Sequence, residues 1–217
     1  MGLELYTLDL SPFAQMVEIQ LALKGIEYTR TVPSREFARE GGFEKITPLR
    51  KIPTLLVDGT VVPETQVIFE LIEELYPNPA LLPADPIARA HVRLLARIGD
   101  IYFSTPLVHL LNNKFEGESK DISAYGIGTI ERGMKALEHW ISPGPYAAGD
   151  VRSLADCVIP PALFSLKETM AALDIGGLPA MGPKTTAYYD AIQRDEHVGF
   201  SLGKMAAALQ QRFGKAA

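Results

Sequence analysis

A proline-rich segment divides the chain into two parts with different secondary-structure patterns. The stretch "PNPALLPADP", residues 77–86, carries four prolines. Proline fixes φ and removes a backbone donor, so this stretch favours neither a helix nor a strand. Strand and helix signals alternate before it, whereas only helical spacing follows it. We therefore expect an α/β domain at residues 1–78, a linker at 79–86 and an all-α domain at 87–217.

The pattern before the linker predicts the element order βαβ-α-ββ-α. "LELYTLD" reads as a strand, Pro12 starts an apolar helix that Gly25 ends, and "IEYTRTV" reads as a second strand. Such a unit favours a parallel strand pair with a right-handed crossover. A short, weak helix in "PSREFAREGGFEK", with a break at its Gly-Gly pair, precedes a hairpin that turns at Asp58-Gly59. The amphipathic helix "ETQVIFELIEELYP" then completes the α/β domain.

The pattern after the linker predicts helices alone. The first is a long helix over residues 87–113, bent at Pro106. The next two are expected in "YGIGTIERGMKALEHWI" and "SLADCVIPPALFSLKETMAALDI". Two short helices are expected in "PKTTAYYDAIQRDEHVGFSLGKMAAALQQ". In "AGDVRSLADCVI", Ser153 and Asp156 have the spacing of a capping box, with Asp in place of the usual Glu.

Composition excludes several classes of function. The net charge of −5 over 217 residues argues against a general nucleic-acid binder. No apolar run is long enough to span a membrane. The single cysteine, Cys157, allows no internal disulfide, which favours a reducing cytoplasm. The four histidines lack the spacing of metal ligands, so we expect no metal site.

Three short motifs at element boundaries suggest a ligand site. Ser11 directly precedes Pro12 at a helix start, where a serine is often only a cap. Pro53 precedes a strand, and either a cis or a trans peptide fits there; a cis bond would turn the backbone N–H and C=O of Ile52 towards a bound peptide. Glu64 and Thr65 open a helix whose N–H groups suit a carboxylate, and Glu64 could accept from an ammonium group or merely complement the helix dipole.

Taken in order, these motifs resemble the cytosolic glutathione transferases over nearly the full chain. "LELYTLDLSPFAQMVEIQLALKGIEY" resembles the opening of serine-type members such as the theta, zeta and tau classes. "TPLRKIPTLLVDG" is similar to the family stretch Asn-Pro-x-x-Lys-Val-Pro, with Thr47 in place of Asn. "PETQVI" is similar to the family's Glu-Ser motif, with Thr65 in place of Ser. "AGDVRSLAD" resembles the folding motif of the second domain.

The resemblance implies a thioredoxin-like first domain that binds glutathione as co-substrate. Ser11 stands where serine-type classes place their catalytic residue. The Ile52 backbone, beside a cis-Pro53, would pair with the cysteinyl part, and Glu64 with Thr65 would hold the γ-glutamyl end. The glutathione-binding residues implied are Phe13, Lys51, Ile52, Pro53, Glu64 and Thr65, with Lys51 near the glycyl carboxylate. Tyr6 is a rival hydroxyl, which we interpret as a packing residue.

The resemblance also implies a homodimer and a pocket for a small hydrophobic electrophile between the domains. The candidate wall residues are Phe13, Tyr102, Phe103, Pro106 and His109. The alternative is that the aromatic residues of the long helix belong to the core of the helical bundle.

The implied activity is attack by a glutathione thiolate. A free thiol has a pKa near 8.5, so most of it is protonated at neutral pH. One charge-assisted hydrogen bond from an O–H donor lowers that pKa and so favours the reactive thiolate. Serine at position 11, rather than cysteine, favours conjugation over thiol–disulfide exchange. "LSPFAQ" lacks the Ser-Ser-Cys stretch of zeta-type isomerases, which argues against isomerisation. A glutathione-dependent isomerase or lyase and a non-catalytic binding module nevertheless remain the alternatives.

Overall fold

The computed structural model describes residues 1–117 and 119–214 of the chain. The chain divides into two compact units, Met1–Ala80 and Leu81–Ala217, so that the division falls inside the proline-rich segment. No helix among the described residues is long and apolar enough to cross a membrane.

The first unit is a four-stranded mixed sheet with four helices, as the α/β pattern predicts. Its elements are β1 (Leu3–Tyr6), α1 (Pro12–Leu23), β2 (Thr29–Thr31), α2 (Arg35–Arg39), α3 (Gly42–Ile46), β3 (Thr54–Val57), β4 (Thr60–Pro63) and α4 (Thr65–Leu75). The strand order is β2-β1-β3-β4, in which only β1 and β2 are parallel. The helix predicted between β2 and β3 is broken at the expected Gly-Gly pair, because the chain turns at Gly41, with φ of 70°, and forms the two short helices α2 and α3.

The turns of this unit follow from local sequence. Gly25 has φ of 63° and ends α1, which confirms the predicted stop. Asp58 and Gly59 both have positive φ, as a two-residue turn of type I′ requires, and they join β3 to β4. Helix α1 is buried continuously from Ala14 to Leu21 and packs against α4. Polar side chains on that stretch therefore need hydrogen-bond partners inside the unit.

The second unit is helical throughout its described elements. These are α5 (Pro86–Arg97), a π-helical segment (Ile98–Ser104), α6 (Thr105–Glu116), α7 (Lys120–Trp140), α8 (Leu154–Phe164), a second π-helical segment (Ser165–Thr169), α9 (Met170–Ala172), α10 (Pro183–Ile192) and α11 (Glu196–Phe213). The predicted long helix bent at Pro106 is therefore interrupted earlier than expected. Pro106 has no N–H for the carbonyl of Tyr102, and the wider π turns immediately before it take up that mismatch.

The capping residues of α8 tie three parts of the helical unit together. The Asp156 carboxylate accepts from the backbone N–H of Ser153 at 2.8 Å and from its hydroxyl at 2.9 Å. It also accepts from the N–H of Ala147 at 2.8 Å and from the hydroxyl of Tyr188 at 3.0 Å. The predicted Asp156 cap is confirmed, and its contacts reach further than a local cap requires.

Candidate functional site

Strand register brings the three sequence motifs to one end of the sheet. Tyr6, the last residue of β1, pairs with Thr54, the first residue of β3, and Thr54 pairs with Pro63, the last residue of β4. Ser11 follows the end of β1 by one short turn, Pro53 directly precedes Thr54, and Glu64 directly follows Pro63. All three motifs therefore leave the sheet at the same end.

Ser11 is the N-cap of α1 and keeps a hydroxyl hydrogen to donate. Its backbone is extended, with φ of −85° and ψ of 114°, and its Oγ accepts from the N–H of Ala14 at 3.3 Å. A serine hydroxyl offers one donor besides its acceptor lone pairs. Among the described residues no acceptor binds that donor. A cap and a donor to a ligand sulfur are therefore compatible roles for this side chain.

The Ile52–Pro53 peptide is cis, which decides the alternative that the sequence leaves open. The hydroxyl of Thr54 donates to the carbonyl of Lys51 at 2.8 Å and so fixes the chain on both sides of the cis bond. Neither the N–H nor the C=O of Ile52 makes a backbone hydrogen bond to a described residue. An extended strand of a bound peptide could therefore form backbone hydrogen bonds with both groups. The side chain of Lys51 is exposed beside them.

The start of α4 presents uncapped N–H groups. Glu64 occupies the N-cap position without a side-chain capping bond, and its carboxylate is exposed. Its φ of 72° is unusual for a residue other than glycine, and such backbone strain concentrates at ligand sites. Thr65 is buried at the first helical position. A ligand carboxylate fits the free N–H groups, and Glu64 is placed for a ligand ammonium group.

Tyr6 is engaged in contacts within the first unit. Its ring stacks on that of Phe37 with a centroid distance of 6.4 Å. Burial, and then the nearby Glu4 carboxylate, which accepts a hydrogen bond from the phenol, raise the pKa of Tyr6 above its ordinary value. These contacts favour the interpretation of Tyr6 as a packing residue.

The candidate wall residues of the acceptor pocket have different environments. Phe13 and Tyr102 are half-buried, whereas Phe103 and Pro106 are buried, with Phe103 against Gly133 of α7. His109 is exposed and lines a cavity of about 630 Å³ between the end of α6 and the start of α7. The other four residues do not line this cavity. The burial of Phe103 and Pro106 agrees with the alternative in which these residues belong to the core of the helical bundle and do not line a pocket.

Two polar groups near these motifs are not apparent from the sequence. The amide nitrogen of Gln66, in the first turn of α4, is buried without a partner among the described residues. The carboxylate of Glu18 is buried in α1 and accepts a hydrogen bond from Thr7. The only sequence signal for the burial of Glu18 is that α1 carries apolar residues on almost every side, which leaves no clear solvent-facing side for a charged residue. No group of three or more residues that could hold a metal ion occurs within 1–117 and 119–214.

Comparison with known proteins identifies the family. Residues 10–75 match the family model described as "Glutathione S-transferase, N-terminal domain". The chain is 36% identical over 168 residues to a probable maleylacetoacetate isomerase of Caenorhabditis elegans, covering 74% of this chain and 77% of that relative. The chain belongs to the glutathione S-transferase family.

Solved structures of other family members share the fold. A glutathione S-transferase of Methylobacterium radiotolerans, solved with glutathione sulfonate, has a TM-score of 0.80 at 24% identity, over 93% of this chain and 95% of that one. A bacterial maleyl pyruvate isomerase, a zeta-class glutathione S-transferase, has a TM-score of 0.75 at 27% identity, over 91% and 95%. The thioredoxin-like first unit followed by helices is thus the glutathione S-transferase fold in this chain.

Proposed function

We propose that the protein is a glutathione-dependent cis–trans isomerase that acts on a carbon–carbon double bond conjugated to a carbonyl group. The observation that carries this proposal is the identity of 36% to a maleylacetoacetate isomerase over most of both chains. The missing Ser-Ser-Cys stretch argued against isomerisation at the sequence level. The similarity to isomerase relatives supports isomerisation more strongly than the missing stretch argues against it.

The proposed reaction needs only a thiolate that adds and leaves again. The glutathione sulfur bonds to one alkene carbon, and the π electrons move to the carbonyl oxygen to give an enolate. The former double bond is then single and rotates. The enolate re-forms the double bond and expels the thiolate, so glutathione is regenerated with no net oxidation.

In this proposal Ser11 stabilises the thiolate through its hydroxyl hydrogen. The N-terminus of α1 adds the positive end of the helix dipole. Lowering the thiol pKa by one unit needs only about 1.4 kcal/mol, which is within reach of one charge-assisted hydrogen bond. A preorganised donor also costs no reorganisation when charge returns to sulfur.

The remaining motifs would hold the rest of glutathione. The free N–H and C=O of Ile52 would pair with the cysteinyl part beside cis-Pro53. Glu64 would accept from the γ-glutamyl ammonium group, and the start of α4 with Thr65 would bind the γ-glutamyl carboxylate. Lys51 would lie near the glycyl carboxylate, with Phe13 against the peptide.

The test is turnover of maleylacetoacetate and maleylpyruvate with and without glutathione. We expect isomerisation that requires glutathione. Ser11→Ala should lower kcat on the order of 10²-fold, as loss of one preorganised donor does. Glutathione binding should survive. Near-full turnover by Ser11→Ala would transfer the role to Tyr6 or to a backbone N–H, and no turnover of either substrate by the wild type would reject the isomerase.

Conjugation is the second candidate, and the sequence of α1 favours it. A maleyl substrate carries carboxylates that need cationic or N–H partners. Helix α1, Pro12–Leu23, contains no basic residue, and "LSPFAQ" at its start lacks the Ser-Ser-Cys stretch of zeta-type isomerases. A panel of aryl halides, epoxides, unsaturated carbonyls and aryl ethers would detect this activity. Glutathione binding without turnover of any compound would favour a non-catalytic module.

A homodimer is the proposed assembly. The helical unit exposes apolar side chains at seven-residue intervals along α5, the π-helical segment and α6: Ile87, Leu94, Ile101, Val108 and Phe115. Apolar residues repeated along one stretch of helix commonly mark an interaction surface. Light scattering at micromolar concentration should give twice the mass of one chain, and a monomer would reject the dimer.

A further inference from the structure

The turn that carries Ser11 is held by a network of charged and polar side chains. The N–H of Ser11 donates to the carbonyl of Leu8 at 3.0 Å, which closes a tight turn over residues 8–11. Thr7 precedes this turn, and its N–H donates to the carbonyl of Thr31 at 3.0 Å. The backbone is therefore anchored to β2 just before the turn and to α1 just after it.

Glu18 supplies the buried centre of the network. Its side chain is 4% exposed and lies two helical turns after Ser11, on the same side of α1. One carboxylate oxygen, Oε1, accepts from the hydroxyl of Thr7, from Nε of Arg30 at 3.2 Å and from the amide of Gln15 at 3.4 Å. The residue before the turn is thus joined to the body of the helix that follows it.

Arg30 extends the network to the turn itself. Its Nη2 donates to the Asp9 carboxylate, and Asp9 lies inside the turn. Arg30 is on β2 and is one-third exposed, so its guanidinium reaches from the buried Glu18 to the solvent-facing Asp9. A planar guanidinium can donate to two carboxylates in fixed directions, which an ammonium group cannot do.

Tyr28 is a further hydrogen-bond partner of Glu18. Burial, and then the Glu18 charge, hold the pKa of Tyr28 well above its ordinary value, and the phenol hydrogen-bonds to Glu18. The phenol thus stays protonated and acts as a donor. Thr7, Gln15, Tyr28 and Arg30 all donate, so an ionised carboxylate, which only accepts, fits this position.

We infer that Glu18 is a positioning residue for Ser11, acting through Thr7 and through the Arg30–Asp9 pair. This inference rests on the proposed role of Ser11 in stabilising the glutathione thiolate. The backbone anchors hold the two ends of the turn, and the contacts of Thr7 and Asp9 brace the residues between them. Displacement of a reacting group by about 1 Å costs on the order of 10²-fold in rate. The network therefore fixes the direction in which the Ser11 hydroxyl points.

The test measures the thiol pKa of bound glutathione from its thiolate absorbance, which needs no turnover. Glu18→Gln places an amide, which can itself donate, among side chains that all donate to this position. It should raise the thiol pKa by about half as much as Ser11→Ala does. It should lower kcat about 10-fold while KM for glutathione changes less than about twofold. Arg30→Gln should act in the same direction with a smaller loss of stability, because its side chain is partly exposed, and Arg30→Lys should restore only part of the effect.

Lys24→Met is the matched control at the other end of α1. Lys24 is buried and hydrogen-bonded, so the substitution destabilises the unit, but it should leave the thiol pKa at its wild-type value. If Glu18→Gln and Arg30→Gln lower stability and leave the thiol pKa unchanged while Ser11→Ala raises it, Glu18 is merely structural and the positioning role is wrong. If Ser11→Ala itself has no effect on the thiol pKa, or the wild type binds no glutathione, the proposed site fails and the positioning role fails with it.

Discussion

Each unit of the protein buries a carboxylate among hydrogen-bond donors, and the donors differ in kind. Asp156 in the second unit accepts from two backbone N–H groups and two hydroxyls, all of them neutral. Glu18 in the first unit accepts from the charged Arg30, which extends towards solvent. The first arrangement is closed within the helical unit, whereas the second reaches the turn that carries Ser11.

The difference separates a structural role from a functional one. Burial outweighs the four donors and raises the pKa of Asp156 above its ordinary value. Its partners lie in a loop, at the N-cap of α8 and in α10, with no candidate site residue among them. Breaking the Asp156 contacts should therefore change stability alone. Breaking the Glu18 contacts should change both stability and the chemistry at Ser11.

Asp156→Ala should have the largest effect on stability. It orphans the N–H of Ala147 and the hydroxyl of Tyr188 inside the helical unit, and unsatisfied buried groups cost about 1–3 kcal/mol each. We expect a loss of about 3–5 kcal/mol in the free energy of unfolding. Urea unfolding followed by the fluorescence of Trp140, the single tryptophan, reports on this unit.

The control for Asp156→Ala is the thiol pKa of bound glutathione, measured well below the unfolding transition. It should match the wild type. A shift as large as that of Glu18→Gln would show that the two carboxylates do not differ as proposed, and a stability loss under about 1 kcal/mol would show that water replaces the lost contacts.

Lys24→Met should have the next largest effect. The ammonium group of Lys24 is fully buried and donates to the carbonyls of Tyr76 at 2.8 Å and Pro79 at 2.7 Å, and it pairs with Glu73 at 2.9 Å. Methionine fills similar space without donors, so the carbonyls of Tyr76 and Pro79 and the Glu73 carboxylate each lose one donor, although Glu73 still accepts from Gln20. We expect a loss of about 3 kcal/mol in the free energy of unfolding, measured by urea titration with circular dichroism.

The same substitution at an exposed site is the control for Lys24→Met. Lys135 pairs with Glu131 at 2.7 Å across one turn of α7, and both side chains are more than half exposed. Lys135→Met should change stability by less than about 0.5 kcal/mol. Equal losses for the two variants would mean that burial does not set the strength of the Lys24 contacts.

Sequence reasoning succeeds where partners are close along the chain. The Asp156 cap spans three residues, the Asp58-Gly59 turn spans two and the stop at Gly25 needs only one residue, so each is readable as a local pattern. The order of the Ser11, Pro53 and Glu64 motifs was also readable, since each stands at an element boundary. Their convergence at one end of the sheet follows once the strands are paired in the observed register.

The Glu18 network was not readable because its members come from different elements. Arg30 reaches Glu18 only after β2 pairs with β1 in parallel, and Asp9 joins only through the shape of the turn. The two π-helical segments were missed for another reason. A search for apolar residues at a spacing of 3.6 does not register one wider turn, although Pro106 and the pair Pro160–Pro161 lie close to the two interruptions.

Tyr188→Phe and Thr7→Val should have the smallest effects, because each removes one hydroxyl donor from a buried carboxylate and keeps the shape of the side chain. Each should lower the free energy of unfolding by about 1 kcal/mol. Tyr188→Phe should leave the thiol pKa of bound glutathione unchanged. Thr7→Val should raise it by about 0.3 unit, since a slight reorientation of the Ser11 hydroxyl forfeits only a few tenths of a kcal/mol. A thiol pKa that responds equally to both variants, or to neither, would remove the distinction between the two carboxylates that their contacts predict.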